Sequence, residues 1–301
     1  MKEKGGIFNF LSAAELSRLG RTSIGSRFTA EGMTAGSHRS KLKGVSVEFA
    51  DYRQYTAGDD PKHLDWRVFG RKERLYIREY EEETGLRVHL LVDASNSMGC
   101  SFGGVSKYRF ASVLASAMAY IVIHNQDSAG LALFDSKCRT LLPPKNGLDH
   151  LRALCDTLAA KTPSEKTDLA SSLHSLAEQA RRRGLIVIFS DLFDDMDKIR
   201  SALAHFRRKK HDVIVYQILD RSEIEFPFRD AARFIDPETG DEIVTNPKDV
   251  RSAYMAAFDD FLVNCRSVCS SLGVDHQMVL TDQSPVDFLI RHARQRALAG
   301  R

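Results

Sequence analysis

The chain has 301 residues, of which 43% are hydrophobic and 28% are charged, and its formal net charge is +3. This composition is typical of a globular protein with ample length for one large core or two modest ones. The small positive surplus gives no support for a nucleic-acid-binding protein, and the basic runs at residues 181–183 and 207–210 suit the C-terminal ends of helices.

Two features of the sequence bear on the cellular compartment. The number of cysteines is odd and no Cys-x-x-Cys pair occurs, so we interpret all five as reduced thiols: Cys100, Cys138, Cys155, Cys265 and Cys269. The N-terminus lacks the apolar core of a secretory signal peptide. The longest apolar stretch, residues 110–123, is interrupted by two serines and is shorter than the about 20 residues that cross a bilayer. We therefore expect a cytoplasmic protein without membrane insertion.

Two segments are expected ahead of the main domain. Residues 1–35 are expected to be weakly structured, apart from a short helix at 13–19 that Ser12 can cap. Residues 36–83, called here the signature module, are dense in aromatic and charged side chains and are predicted to form a small β-rich module. Alternating polar and apolar residues at 75–81 predict a strand in it, and Gly85 offers a turn that would pair this strand with the next one.

From residue 84 to residue 301, strand and helix patterns alternate. Apolar runs predict strands at 88–92, 129–134, 185–190, 213–219 and 274–280, and helical periodicity predicts helices at 109–124, 148–160, 169–182, 198–209 and 250–272. Such alternation predicts an α/β domain with a doubly wound, mostly parallel sheet and helices on both faces. Residues 233–244 surround an Asp-Pro-Glu-Thr-Gly turn and predict a β-hairpin insertion in this domain.

Three loops of the predicted domain carry carboxylates and hydroxyls. Asp93, Ser95 and Ser97 follow the first strand, Thr167 lies just ahead of a helix, and Asp191 follows the strand at 185–190. Because the carboxyl ends of parallel strands meet at one edge of a sheet, these five side chains are expected to converge. Hard oxygen ligands of this kind are those that Mg²⁺ or Mn²⁺ takes, so the five residues are predicted to bind a divalent metal.

A simpler interpretation of the hydroxyl groups stays open. Ser95, Ser97 and Thr167 can be plain helix caps and turn formers, since hydroxyls at such positions commonly bond to nearby backbone. For the three further acids near these loops we favour a role as negative charge at helix N-termini: Asp168, Asp194 and Asp195.

The metal-binding pattern resembles the metal-ion-dependent adhesion site of von Willebrand factor A domains. That pattern consists of Asp-x-Ser-x-Ser, a Thr about seventy residues later and an Asp after a later strand. Here Thr167 follows Ser97 by 70 residues, Asp191 follows Thr167 by 24 residues, and all five positions match. The resemblance implies a von Willebrand factor A-like fold. It also implies that the bound ion keeps a coordination position for an acidic side chain of a partner.

The signature module resembles a bacterial family known as domain of unknown function 58, in its short soluble form. The matching segments are Gly-Ser-His-Arg-Ser at 36–40, Gly44 with Glu-Phe at 48–49, Gly-Asp-Asp-Pro at 58–61 and Leu-Asp-Trp at 64–66, where Leu64 replaces the usual Ile. The later segments Phe-Pro-Phe at 226–228, Phe234 and Glu-Thr-Gly at 238–240 also fit this family, so the resemblance covers nearly the whole chain. It implies a von Willebrand A-like half, and it implies an adaptor or chaperone-like role beside a MoxR-type AAA+ ATPase or its client protein.

The signature module also contains a set of ionisable side chains that superficially resembles a catalytic cluster. Its members are His38, Glu48, Arg53, Asp59, Asp60, His63 and Asp65. The Gly-Asp-Asp-Pro segment is equally a good tight turn, and an acid–arginine pair can hold such a segment together. We favour a rigid surface module over catalysis.

The sequence gives little support for an enzyme. No phosphate-binding P-loop, GxGxxG, GxSxG or HExxH pattern occurs. The best enzymatic alternative is a Mg²⁺-dependent phosphoesterase with Asp93 as the nucleophile, but that chemistry needs a second acid two residues later, and Ser95 stands there. We therefore predict a non-enzymatic, metal-dependent protein-binding adaptor, without a catalytic residue.

Overall fold

The computed structural model describes residues 6–22, 48–55, 68, 70, 75–81, 85–102, 104–163, 168–230, 232–236 and 240–299. The chain divides into two compact units, one formed by residues 1–34 with 86–301 and the other by residues 35–85.

The described strands are β1 Glu48–Gln54, β2 Tyr76–Glu81, β3 Arg87–Asp93, β4 Ser128–Phe134, β5 Cys138–Lys145, β6 Leu185–Ser190, β7 Asp212–Leu219, β8 Ala232–Ile235, β9 Glu242–Thr245 and β10 Asp275–Leu280. The described α-helices are α1 Ala13–Leu19, α2 Asn96–Gly99, α3 Lys107–His124, α4 Leu148–Ala160, α5 Leu169–Gln179, α6 Met196–Arg208, α7 Arg221–Glu225, α8 Pro247–Ser271 and α9 Pro285–Ala299.

The larger unit is built on a six-stranded sheet with the strand order β10-β7-β6-β3-β4-β5. All neighbouring pairs are parallel except β4 and β5. Helices α3, α4 and α9 pack on one face, and helices α5, α6 and α8 pack on the other. The predicted fold class, a doubly wound and mostly parallel sheet with helices on both faces, is confirmed.

The central strand β3 shows why these sequences form a buried sheet. Val88, Leu90 and Val92 pack into the core on one face, and Leu91 packs into the core on the other, as the two-residue period of a strand requires. Every residue of β6 is buried. A strand that is covered on both faces needs a nearly continuous apolar run, and this is the pattern that allowed its prediction.

The edge strand β5 was not predicted. It contains Pro143 and Pro144, and a proline cannot donate a hydrogen bond to a neighbouring strand. At the sheet edge this is tolerated, because one side of β5 pairs with β4 and the other side has no strand partner among the described residues. Prolines at such a position also discourage pairing with another chain.

The N-terminal helix α1 is confirmed, with Ser12 as its cap. Ser12 and Glu15 form a reciprocal capping box. A 3₁₀-helix at Gly6–Asn9 precedes it, and Leu11 and Leu19 are buried in the main core. The described residues 6–22 are therefore more regularly folded than was expected for residues 1–35, since two leucines anchor them. Residues 23–35 lie outside the described residues.

In the smaller unit, β1 and β2 form an antiparallel pair. The predicted hairpin between the strand at 75–81 and β3 is wrong. Strand β3 has β4 on one side and β6 on the other, so both of its edges are already occupied. Most of the signature module lies outside the described residues, including five members of the ionisable set: His38, Asp59, Asp60, His63 and Asp65.

The predicted hairpin insertion is confirmed, as β8 and β9 pair in antiparallel fashion with Phe234 opposite Ile243. An aromatic cluster holds it against the loop after α7 and against α8: Phe234 contacts Phe226 and Phe228, and Phe226 contacts Tyr254 of α8. Within the described part of the chain, no helix is both long enough and apolar enough to cross a membrane.

A buried ionic network fixes α9, which lies beyond the predicted helices. Arg296 binds Asp212 at the start of β7, with an Nη2–Oδ2 distance of 2.7 Å, and it also binds Asp275 at the start of β10. His292 adds a contact of 3.2 Å to Asp275 and one of 2.8 Å to the hydroxyl of Tyr216. The network ties α9 to the amino ends of two strands.

The network predicts a pH-dependent stability. Burial alone would raise the pKa of Asp275, but hydrogen bonds from His292 and Gln277 and the charge of Arg296 outweigh it and hold the pKa below its usual range. A depressed carboxyl pKa stabilises the fold above the unfolded-state pKa of about 3.9, and this stabilisation disappears as the pH falls further. We expect Asp275→Asn to lower the free energy of unfolding by about 2–3 kcal/mol at pH 7, and by less at pH 3, where part of this stabilisation is already lost.

Urea unfolding at both pH values measures this difference. Asp287→Asn is the matched control, because Asp287 also lies in α9 but its ion pair with Arg18 is exposed, and exposed pairs contribute little. An equal loss of stability at pH 3 and pH 7 in Asp275→Asn would contradict the role of the ionised carboxylate.

Candidate metal site

The first and third predicted loops meet at the carboxyl edge of the sheet. Strands β3 and β6 are parallel neighbours in which Val92 lies opposite Phe189, so Asp93 and Ser190 follow at the same level. The Ser190 hydroxyl donates a hydrogen bond of 2.7 Å to Oδ2 of Asp93. Asp191, the next residue, therefore begins its loop beside Asp93.

The geometry of the first loop leaves its hydroxyls facing each other. Ser95 donates its backbone N–H to Oδ1 of Asp93 at 3.0 Å. Ser95 occupies the N-cap position of the short helix α2, but its side chain makes no capping hydrogen bond. Instead, its Oγ lies 3.1 Å from Oγ of Ser97. The interpretation of Ser95 as a plain helix cap is thus not supported.

The serine pair suits a divalent ion. Around an octahedral Mg²⁺ with ligands at 2.0–2.1 Å, neighbouring oxygens are about 3 Å apart. The 3.1 Å separation of the two hydroxyl oxygens is close to this value. Ser95 and Ser97 can therefore serve as adjacent ligands of one ion without a large rearrangement of the loop.

Asp191 is held by contacts at three points. Its Oδ2 accepts a hydrogen bond of 2.8 Å from Nζ of Lys107, and its Oδ1 accepts one of 3.3 Å from the backbone N–H of Phe193. Its backbone carbonyl accepts a bond of 3.3 Å from Gln217 of β7. Lys107 and the backbone of Phe193 thus fix the direction of this carboxylate, and Gln217 of the neighbouring strand fixes its backbone.

Lys107 and Glu223 were not predicted as residues of this site. Lys107 is the first residue of α3, its side chain is 1% exposed, and its Nζ also lies 2.6 Å from Oε1 of Glu223 in α7. A cation in the first turn of a helix opposes the helix dipole. Lys107 follows the cap Ser106 directly and precedes an apolar run. This unfavourable position for a cation was the one signal in the sequence that Lys107 has a special role.

The charges of the cluster do not balance. The ammonium group of Lys107 contacts the carboxylates of Asp191 and Glu223, and the carboxylate of Asp93 lies near that of Asp191. Three carboxylates and one ammonium group leave a net charge of −2 when all four groups are ionised. Burial removes the water that would otherwise screen such an excess, and this makes it costly. A divalent cation would neutralise it, so the donor set fits such an ion.

The pKa values of the acids agree with this imbalance. Burial and then the nearby Asp191 carboxylate raise the pKa of Asp93 to about 7, although hydrogen bonds from Ser190 and Ser95 act in the opposite direction. Burial also raises the pKa of Glu223, despite the opposing effect of Lys107. Burial would lower the pKa of Lys107, but the carboxylates of Asp191 and Glu223 outweigh it and raise the pKa.

Thr167 of the second loop lies outside the described residues, so its place in the metal site stays a prediction. The residues after it are close to the third loop, because the backbone N–H of Ala170 lies 3.4 Å from Oδ2 of Asp194. Asp168 caps α5 and Asp195 caps α6. The helix-terminal roles predicted for Asp168, Asp194 and Asp195 are consistent with these contacts.

The described candidate ligands are almost completely buried. Asp93, Ser95 and Asp191 are at most 1% exposed, whereas Ser97 is 8% exposed and is the most accessible of the described candidate ligands. Within the described ranges, no group of three or more His, Cys, Asp or Glu side chains is arranged to hold a metal. Metal binding at this edge of the sheet would therefore depend on the serine hydroxyls as well as on the acids.

We expect the Ser95→Ala, Ser97→Ala double variant to lose Mg²⁺ and Mn²⁺ affinity by more than about tenfold. The loss of a residue that only supports a ligand commonly costs about 10–100-fold, and this variant removes two predicted ligands. Isothermal titration measures the affinity. The matched control is Ser112→Ala with Ser116→Ala, which removes two buried hydroxyls from α3. Equal affinity in wild type and in the Ser95, Ser97 variant would rule out the serine ligands.

Comparison with curated proteins finds bacterial relatives. An uncharacterized protein of Mycobacterium tuberculosis is 26% identical over 200 residues, which are 65% of this chain and 62% of the relative. This chain thus spans less than two thirds of the length of that relative. An uncharacterized protein of Mycobacterium avium is 28% identical over 170 residues, which are 54% of this chain and 99% of the relative.

Two crystal structures illustrate the likeness among solved proteins. The conserved hypothetical protein BatB from Bacteroides thetaiotaomicron has 16% identity and a TM-score of 0.49, with 71% of this chain and 100% of that chain covered. The SpRpn10 VWA domain has 9% identity and a TM-score of 0.41, with 69% of this chain and 95% of that chain covered.

A family model settles the membership of the chain. The model described as "Protein of unknown function DUF58" matches residues 51–261, which is well over half of the sequence. This range includes Asp93, Ser95, Ser97, Lys107, Thr167, Asp191 and Glu223. The chain belongs to the DUF58 family.

Proposed function

We propose that this chain is a non-enzymatic adaptor that binds a partner protein through a divalent metal ion, Mg²⁺ or Mn²⁺. The observation that carries the proposal is the pair of serine hydroxyls 3.1 Å apart, next to a buried cluster that contains three carboxylates and one ammonium group. The proposed partner is a MoxR-type AAA+ ATPase or its client protein in the bacterial cytoplasm, as the family resemblance implies.

The proposed ligands are Asp93, Ser95, Ser97, Thr167 and Asp191, directly or through water. The bound ion would supply a Lewis-acidic position for an oxygen of the partner. The chain's own contacts prepare the ligands. Ser190 holds Asp93, the N–H of Ser95 fixes the other oxygen of that carboxylate, and Phe193 and Lys107 hold Asp191.

The ligand types favour binding of an outside carboxylate. Hydroxyl ligands are neutral, so they leave more of the positive charge of the ion for an Asp or Glu of the partner. Among the described candidate ligands, Ser97 is the most exposed, at 8%. We infer that the partner's side chain approaches from the Ser97 side of the site.

We expect binding of the ATPase to the immobilised chain to require Mg²⁺ and to disappear in EDTA and in Asp93→Ala. Surface plasmon resonance measures this. Asp195→Ala is the matched control, because this acid lies at the same edge of the sheet but caps α6. Binding that ignores both chelation and Asp93→Ala would exclude the metal bridge and would move the interface to the signature module.

One observation favours the enzymatic alternative, a Mg²⁺-dependent phosphoesterase. Lys107 supplies a cation beside Asp191, and the transfer of a phosphoryl group from the substrate to a nucleophilic Asp needs a lysine that holds the phosphate. Against this, the ammonium group is 1% exposed and is already paired with two carboxylates. The position two residues after Asp93 also holds a serine, which supplies no general acid.

Hydrolysis of p-nitrophenyl phosphate separates the two functions. We expect no turnover above background with Mg²⁺ or Mn²⁺, because Ser95 stands at the position where this chemistry needs a second acid. Clear turnover that is abolished in Asp93→Ala would favour the phosphoesterase over the adaptor.

A further inference from the structure

We propose that Lys107 is a built-in counter-cation that sets the metal affinity of the site, because its ammonium group competes with the metal for Asp191 while Glu223 draws it away. The inference rests on the proposed metal site. It assigns a regulatory role to Lys107 and Glu223, which lie outside the predicted ligand set.

The position of Lys107 is unfavourable by itself. Its side chain is 1% exposed, and it starts an 18-residue helix, where the helix dipole repels a cation. What offsets these costs is the pair of contacts at 2.8 Å to Asp191 and 2.6 Å to Glu223, with the ring of Phe193 at 4.9 Å. Apolar residues commonly replace a buried ion pair without loss of stability, so stability alone does not explain the lysine.

Glu223 is held rigidly on the far side of the ammonium group. Its Oε2 accepts the backbone N–H of Asp220 at 2.6 Å in a capping box, and its backbone carbonyl accepts the hydroxyl of Tyr254 at 2.7 Å. The lysine therefore lies between an acid whose position is fixed by α7 and α8 and an acid that belongs to the predicted ligand set. A stronger interaction of Lys107 with Asp191 therefore lowers the affinity of Asp191 for the metal.

The charge count predicts that removal of Lys107 and removal of Glu223 change the cation affinity in opposite directions. The wild-type cluster has a net charge of −2 when its three carboxylates and one ammonium group are ionised. Removal of the ammonium makes the cluster more negative and frees Asp191, which strengthens cation binding. Removal of the Glu223 carboxylate makes the cluster less negative and leaves Lys107 to Asp191 alone, which weakens cation binding. Charges a few ångströms apart in a buried site readily change an affinity by about tenfold or more.

The test is titration of the full chain with Mg²⁺ and with Mn²⁺, by calorimetry for both ions and by electron paramagnetic resonance for Mn²⁺. We expect Lys107→Met, which keeps a long unbranched apolar side chain without the charge, to lower the Kd by about tenfold. We expect Glu223→Gln to raise the Kd by about tenfold. A purely structural ion pair would make both variants weaker binders, so opposite shifts distinguish the two roles.

Two further variants keep the test decisive. The double variant Lys107→Met, Glu223→Gln removes one charge of each sign and is expected to fold and to bind metal with a Kd close to that of wild type. Arg296→Met removes another buried cation at the opposite edge of the sheet, and is expected to lower thermal stability while the Kd stays unchanged.

The outcomes separate this inference from the proposed function. A wild-type chain that binds neither ion would overturn the metal site, and the inference with it. A wild-type chain that binds metal, with a Kd that Lys107→Met leaves unchanged or raises, would overturn the role of Lys107 alone. The same holds if the double variant binds metal as weakly as Glu223→Gln.

Discussion

The burial of several like charges at one edge of the sheet is the constraint on which the rest of this site depends. Parallel pairing of β3 with β6 brings Asp93 beside the loop of Asp191, and α7 adds Glu223. Three acids in a volume with little water cannot all ionise unless cations balance them. Lys107 provides one positive charge, and the remaining excess is what makes a divalent ion a suitable occupant.

The surrounding contacts limit how this site can work. Both oxygens of Asp93 accept hydrogen bonds from the chain, and both oxygens of Asp191 do so as well. Acids held in this way have fixed orientations and can serve as ligands of a cation. The nearby acids Asp168 and Asp195 bond to the starts of helices. The acids at this edge of the sheet therefore divide into those that cap helices and those that are buried in the candidate metal site.

The position of the site within the fold also follows from simple rules. Apolar runs gave the five parallel strands, and their carboxyl ends meet at one edge whatever the details of packing. Asp93 and Asp191 could thus be placed together from the sequence, although Thr167 lies outside the described residues. Strand β5 was not predicted because its two prolines argue against a strand. An edge strand tolerates them, since only one of its sides pairs. The supposed hairpin onto β3 failed because a central strand has no free edge.

The sequence by itself determined the fold class, the positions of most strands and helices, and the meeting of the first and third loops, because these depend on local periodicity and on the direction of parallel strands. Only the tertiary structure decided the charge balance of the site. Lys107 lies 84 residues from Asp191 and 116 residues from Glu223 along the chain, and their contacts arise from the packing of α3 and α7 at one edge of the sheet. No local pattern encodes a pairing over such separations, since it depends on where whole helices come to rest.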